Sequence, residues 1–254
     1  MSPMASRSPE KTRPSVFWPL AAIVVPLVSL IAKVRIIGAE KVPREGAFVL
    51  APNHYSEFDP LIVALAVWRI GRAPRFMAKE SLFRVPVLGW FLRKTGMIPV
   101  ARTSSASSAK QTMAQSAALV EHGRGVIVYP EGTLTRDPDM WPMRGKSGAV
   151  RLALADGIPL IPMAQWGTQA IMGRYQKGLS LWPLRKPVTV IVGDPVDVSD
   201  LRGRAGEPAA LTEATNRLMN AITALLEQVR GEKAPAERWN PASHGQKETG
   251  RLDP

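Results

Sequence analysis

The sequence holds only three histidines in 254 residues, and one of them stands in a setting suited to proton transfer. His54 lies in the stretch Asn53-His54-Tyr55-Ser56-Glu57-Phe58-Asp59, between an apolar run and a segment with helical character. If the chain makes one turn between His54 and Asp59, the carboxylate folds back onto the imidazole. A carboxylate accepting from one ring nitrogen fixes the tautomer and stabilises the imidazolium; the other nitrogen can then take a proton from a hydroxyl. The plainer alternative is an aspartate that caps a helix beside an unrelated loop histidine.

Other chemistries find less support. The chain has no cysteine, which excludes disulfides, thiolate catalysis and Cys-ligated zinc or iron–sulfur sites. His122 and His244 fall at a helix end and in the C-terminal tail, so no histidine cluster accompanies His54 and no metal site is expected. Gly145-Lys146-Ser147 opens a helix as a phosphate loop would, but the glycine required five residues before the Gly-Lys pair is Met140. There is no G-x-S-x-G elbow for a serine nucleophile and no G-x-G-x-x-G after a strand.

The elements that must position His54 and Asp59 alternate along the chain. Strands are predicted at Val34–Ile37, Gly46–Ala51, Arg75–Ala78, Met97–Val100, Gly125–Tyr129, Pro159–Ala164 and Val188–Val192. Helices are predicted at Pro60–Val67, Pro86–Lys94, Ser104–Glu121 and Ser147–Ala155. A long amphipathic one follows over 208–230, where Leu211, Ala214, Leu218, Ile222, Leu225 and Val229 recur at helical spacing. This alternation predicts an α/β fold: a mixed, largely parallel sheet flanked by helices. His54 then falls at the end of a sheet strand, where such folds place ligands.

Both ends of the chain read differently. Residues 1–33 comprise a basic, disordered start and the charge-free run Val16–Ala32, VFWPLAAIVVPLVSLIA. That run is at the short limit for spanning a bilayer, and Pro19 and Pro26 divide it. It is expected to be a membrane-associating helical segment, kinked into a hairpin or re-entrant turn, with basic flanks at anionic headgroups. A single catalytic domain is expected over 34–230, and a disordered polar tail over 231–254. The net charge of +12 points to an anionic partner, and its excess lies within residues 1–206. With 6% aromatic residues and no recognisable binding motif, nucleic acid is not expected.

Four blocks, in order, carry a family resemblance: NHYSEFD at Asn53–Asp59, GMIPVAR at Gly96–Arg102, YPEGTLTR at Tyr129–Arg136 and IPLIPM at Ile158–Met163. Together they resemble the PlsC-like glycerolipid acyltransferases, the 1-acyl-sn-glycerol-3-phosphate (lysophosphatidic acid) acyltransferase family, across roughly residues 34–195. The resemblance implies that His54 is the general base on an acceptor hydroxyl and that Asp59 orients it. The acceptor oxygen would attack an acyl thioester directly, giving phosphatidic acid in phospholipid synthesis. It also implies acceptor binding by Arg102, Glu131, Gly132 and Thr133, with Asn53, Lys79, Arg136 and Lys146 as further substrate-binding candidates. Glu131, an anion, would hold a glycerol hydroxyl or a neighbouring basic residue. No cofactor is implied; acyl-CoA or acyl-carrier protein serves as co-substrate. The expected setting is the cytoplasmic face of the cell membrane, with monotopic or peripheral attachment. Two positions depart from the family pattern: Leu134 stands where arginine follows Glu-Gly-Thr, and Ala101 stands where an acid precedes Arg102. Both leave room for a different acceptor, such as glycerol-3-phosphate or another lyso-glycolipid. A non-catalytic membrane module is the alternative from another class.

Overall fold

The structure, a computed structural model, describes residues 11, 15–100, 114–115, 117–247 and 250. Its strands are β1 (Ala32–Ile37), β2 (Phe48–Pro52), β3 (Met77–Lys79), β4 (Ile98–Val100), β5 (Gly125–Ile127), β6 (Leu160–Trp166) and β7 (Lys186–Val192). Its helices are α1 (Phe17–Ile31), α2 (Asp59–Ile70), α3 (Leu88–Lys94), α4 (Gly148–Asp156) and α5 (Pro208–Arg230). Of the helix expected over Ser104–Glu121, residues 114–115 and 117–121 are helical and the rest lies outside the described residues.

Five strands form one sheet in the order β1-β7-β6-β2-β5. Three of its pairings are parallel and one, β6 with β7, is antiparallel, so the sheet is mixed and largely parallel as expected. β3 and β4 pair in parallel beside it, linked to β5 through a bridge from Phe76 to Ile127. β2 is buried along its whole length, which is why its sequence is an unbroken apolar run rather than an alternation. Val49 and Ala51 face a core made with α4 and α5, whereas Phe48 and Leu50 face one made with α1 and α2. The domain is therefore three layers deep.

This topology brings several chain segments to one edge. The C-terminal ends of β2, β5 and β6 meet there, because these strands are parallel. The N-terminal ends of β7 and β1 arrive at the same edge, since β7 opposes β6 and β1 follows β7.

Two expectations need correction. The apolar run is not a hairpin: α1 is one helix with Pro26 inside it. Pro19 sits in the first turn, where helix N–H groups lack partners anyway, and Pro26 lies on the exposed face, so one missing bond does not break the helix. α1 packs on α2, with Trp18 edge-on to Trp68 at 5.6 Å, and β1 begins at once at Ala32. The tail, expected to lack structure, is ordered over 231–247. The Ala234 N–H donates to Glu227, Trp239 stacks on His244 at 3.6 Å, and Arg144 donates its N–H to the Trp239 carbonyl.

Candidate active site

His54 leaves the end of β2 at this edge, and Asp59 begins α2. The intervening turn is closed by the Asp59 N–H donating to the Ser56 carbonyl at 3.1 Å. Pro60 follows as an N-terminal helical residue, whose preset φ suits the first turn. The result is the fold-back expected from the spacing: His54 Nδ1 lies 3.0 Å from Asp59 Oδ2. Asp59 is fully buried, while the imidazole keeps 15% exposure.

Asp59 is more than a cap. Its Oδ2 also accepts from the N–H groups of Tyr55 (2.7 Å) and Ser56 (2.8 Å). Its Oδ1 accepts from the Thr168 hydroxyl at 2.5 Å. Buried carboxylates are costly unless hydrogen-bonded, and here both oxygens are satisfied. With Asp59 accepting at Nδ1, the ring proton sits there and Nε2 is left as the acceptor of a proton.

The ring is held on one face as well. Tyr129, just beyond β5, stacks on His54 with centroids 4.0 Å apart, and Phe76 stacks behind Tyr129 at 6.3 Å. Burial, and then the charge of Asp59, push the hydroxyls of Tyr55 and Tyr129 well above the usual tyrosine range. The Tyr129 hydroxyl is a neutral, buried donor without a hydrogen-bond partner.

Glu131 takes a part that sequence reasoning did not assign. Its Oε1 accepts from the His54 N–H and its Oε2 from the Met143 N–H, both at 3.0 Å. It thereby ties the His54 loop to the 131–147 segment, as does the Thr135 N–H donating to the His54 carbonyl at 2.7 Å. Burial raises the Glu131 carboxyl to about 8, against the smaller lowering effect of the two N–H groups. Asn53 is likewise internal: its amide donates to the Gln165 carbonyl at 3.1 Å and accepts from the Gln165 N–H at 2.8 Å, continuing the β2–β6 pairing.

The other candidates fall into groups. Gly132 and Lys146 are brought together: a Cβ on Gly132 would come within 3.2 Å of the Lys146 side chain, and φ here is +70°. Lys146, Arg144, Ser147 and Arg151 line a cavity of about 410 Å³ with Glu131 and the first turns of α5. Thr133 and Arg136 meet at another point, where the Gly250 carbonyl accepts from the Thr133 hydroxyl (3.3 Å) and the Arg136 guanidinium (2.8 Å). Arg136 also donates to the Tyr175 hydroxyl at 3.3 Å, but its Nε has no partner and no carboxylate of the described residues pairs with it, although it is buried. Leu134 is buried in the position where the family pattern has a cation. Lys79 is exposed at the end of β3, opposite Val100, and Arg102 lies outside the described residues. Among the described residues, no three His, Asp or Glu side chains gather to hold a metal ion.

Thr168 is the contributor the sequence reading missed. Its only sequence signal is position, two residues past the apolar run that forms β6.

Residues 33–166, just over half of the chain, match the family model described as Acyltransferase. The chain is 29% identical over 205 residues to a 1-acyl-sn-glycerol-3-phosphate acyltransferase of Bacillus subtilis, covering 80% of this chain and 94% of that one. It is 30% identical over 148 residues to a chloroplastic 1-acyl-sn-glycerol-3-phosphate acyltransferase of Brassica napus, covering 58% of this chain but 41% of the plant protein. Its fold is similar to the crystal structure of the 1-acyl-sn-glycerophosphate acyltransferase PlsC from Thermotoga maritima, with a TM-score of 0.54, 22% identity, and coverage of 80% of this chain and 75% of that one.

Proposed function

The chain belongs to the acyltransferase family, and from that premise we propose that it moves a fatty acyl group from a thioester to the free hydroxyl of 1-acyl-sn-glycerol-3-phosphate, giving phosphatidic acid. The carrying observation is the His54–Asp59 contact at 3.0 Å, made by a carboxylate whose other bonds are already in place. His54 Nε2 takes the proton of the acceptor hydroxyl as its oxygen attacks the thioester carbonyl carbon. The tetrahedral intermediate collapses, the C–S bond breaks, and the imidazolium returns the proton to the departing thiolate. One ester and one thiol result, with no acyl-enzyme, consistent with a chain that has no cysteine. Asp59 needs no proton of its own; it holds the tautomer and offsets the positive charge that forms on His54.

The acceptor phosphate is assigned to the cations of the third block and its loop, which form two candidate points, Arg136 with Thr133 and Lys146 with the Gly132 backbone, and to Arg102. A guanidinium suits a phosphate because it presents paired donors to two oxygens. Acyl-CoA or acyl-carrier protein would be the donor. The buried Leu134 favours one further reading, in which the same chemistry serves another acceptor, glycerol-3-phosphate or a lyso-glycolipid. A thiol-release assay decides between them. It compares lysophosphatidic acid with those acceptors, each with acyl-CoA and acyl-carrier protein. Turnover with lysophosphatidic acid at least as high as with the others supports the first reading; turnover with another acceptor alone replaces it.

The reading also places the chain at the cytoplasmic face of the cell membrane through α1. No described helix is long and apolar enough to cross a bilayer. Attachment would be from one side, by the helix face that points away from the protein.

A further inference from the structure

We infer that the loop over Leu179–Arg185 is a second membrane-docking element, and that it and α1 form one apolar surface fitted to an anionic bilayer. This rests on the membrane reading of α1 and adds to it a set of residues and an orientation.

A surface helix ordinarily turns polar residues outward. The outward face of α1 does the opposite: Trp18, Ala22, Ile23, Pro26, Leu27 and Leu30 are all exposed, and Ile23, Leu27 and Leu30 are more than half open. Where α1 ends, the Leu30 carbonyl accepts from the Arg185 N–H at 3.1 Å, so the loop abuts the helix. The loop itself presents Leu179, Leu181, Trp182 and Leu184, and Trp182 at 82% exposure is the most open large apolar side chain among the described residues.

This exposure is built rather than incidental. The buried Lys186 donates to the carbonyls of Ala170 and Ser180 and to the Ser180 hydroxyl, at 2.6–2.7 Å. The Ser180 N–H donates to the Ile171 carbonyl at 2.8 Å. Ser180 is thus pinned to the body of the protein, and its apolar neighbours on both sides are held outward.

Charge selects the occupant. Residues 176–185 contain Lys177 and Arg185 and no acid, and β1, which continues from α1, turns Lys33 and Arg35 outward. Apolar side chains with tryptophan, rimmed by lysine and arginine, match the boundary layer of an anionic membrane. Apposing a second copy through the same face would bring these cations together. The loop also leads back to chemistry: it continues from Thr168, which holds Asp59, and from Met172, whose carbonyl accepts from the Ser56 hydroxyl. Docking of this surface sets the His54 edge of the sheet against the bilayer.

The test is flotation of the full chain with vesicles of phosphatidylcholine, alone or with phosphatidylglycerol. A Leu179→Ser, Leu181→Ser, Trp182→Ser, Leu184→Ser chain is expected to bind the anionic vesicles about tenfold more weakly or worse, with an unchanged circular dichroism spectrum and melting temperature. Trp182→Phe guards against a folding defect: it should bind normally yet lose the part of the tryptophan emission that lipids brominated on their acyl chains quench. Parental binding by the serine chain, with undiminished quenching in Trp182→Phe, overturns the role of the loop and leaves that of α1 standing. Failure of the parent to float overturns both. A dimer that the serine substitutions convert to a monomer without change in flotation gives the face to a second copy and also overturns the inference. Acyl transfer is not part of the readout, so the test stands apart from the proposed reaction.

Discussion

Asp59 and Arg136 are both buried charges within the same site, and the protein treats them oppositely. Asp59 receives four donors, from His54, Tyr55, Ser56 and Thr168, shared over both oxygens. Arg136 has a hydroxyl and a carbonyl, with its Nε unpartnered and no salt bridge to a carboxylate among the described residues. A buried charge with full hydrogen bonding is a fixed part of the fold, whereas one with neutral partners carries an unmet electrostatic demand. On the proposed reading, the half around His54 and Asp59 is therefore complete in itself, and the half around Arg136 is the one left to receive the acceptor's anion.

The largest effect should come from the complete half. His54→Ala is expected to fold normally and to lose about a thousandfold or more in kcat, with Asp59→Asn close behind because the wrong ring tautomer is favoured. Acyl transfer at parental rate by either folded variant would remove that residue from the mechanism. Arg136→Gln should raise KM for a phosphorylated acceptor by roughly ten- to a hundredfold, the worth of a charge-assisted bond. Its melting temperature should not fall, since a poorly paired buried cation has gone. A large loss of stability with an unmoved KM would erase the contrast with Asp59. Thr168→Val should lower kcat about tenfold at constant KM, the scale of one lost hydrogen bond to a charged group, and Thr168→Ser should recover most of it. No difference between valine and serine would show that the Thr168 hydroxyl does not position Asp59.

The last effect concerns Glu131 and is read in stability rather than in rate. Its carboxyl ionises near 4.5 when unfolded and near 8 when folded. Between those values the native state binds more protons than the unfolded one, so stability falls as pH rises from about 4.5 to 8 and the contribution is gone above that. Glu131→Gln should flatten this part of the melting-temperature profile, while losing one of the two backbone bonds to His54 and Met143. An unchanged profile would mean that Glu131 is ionised throughout.

What could be read from the sequence was local. Five residues of separation were enough to bring Asp59 to His54, because one turn closes over that distance. Strand and helix alternation gave the sheet, since buried parallel strands are continuous apolar runs. Contacts between distant residues were not legible. Thr168 reaches Asp59 across 109 positions, and nothing in its own neighbourhood announces a partner. The resemblance implied that Glu131 holds a glycerol hydroxyl or a neighbouring basic residue; the two backbone N–H groups that it accepts from in the fold lie 77 and 12 positions away and were not legible. The prolines of α1 argued for a break because helix propensity is an average, and tolerance depends on which turn and which face they occupy. The tail looked unstructured because it is polar and its few packing residues, Ala234, Trp239 and Pro241, follow no periodic pattern.

The single antiparallel pairing, β6 against β7, has a kinetic consequence. With that strand reversed, both the end of α1 and the 167–185 connection emerge at the edge where His54 lies. An all-parallel arrangement would have sent the chain into β7 from the opposite side. An enzyme whose reactive edge and docking surface coincide meets its lipid in two dimensions. Its rate should follow the mole fraction of acceptor in the surface, falling when inert lipid dilutes it at constant bulk concentration.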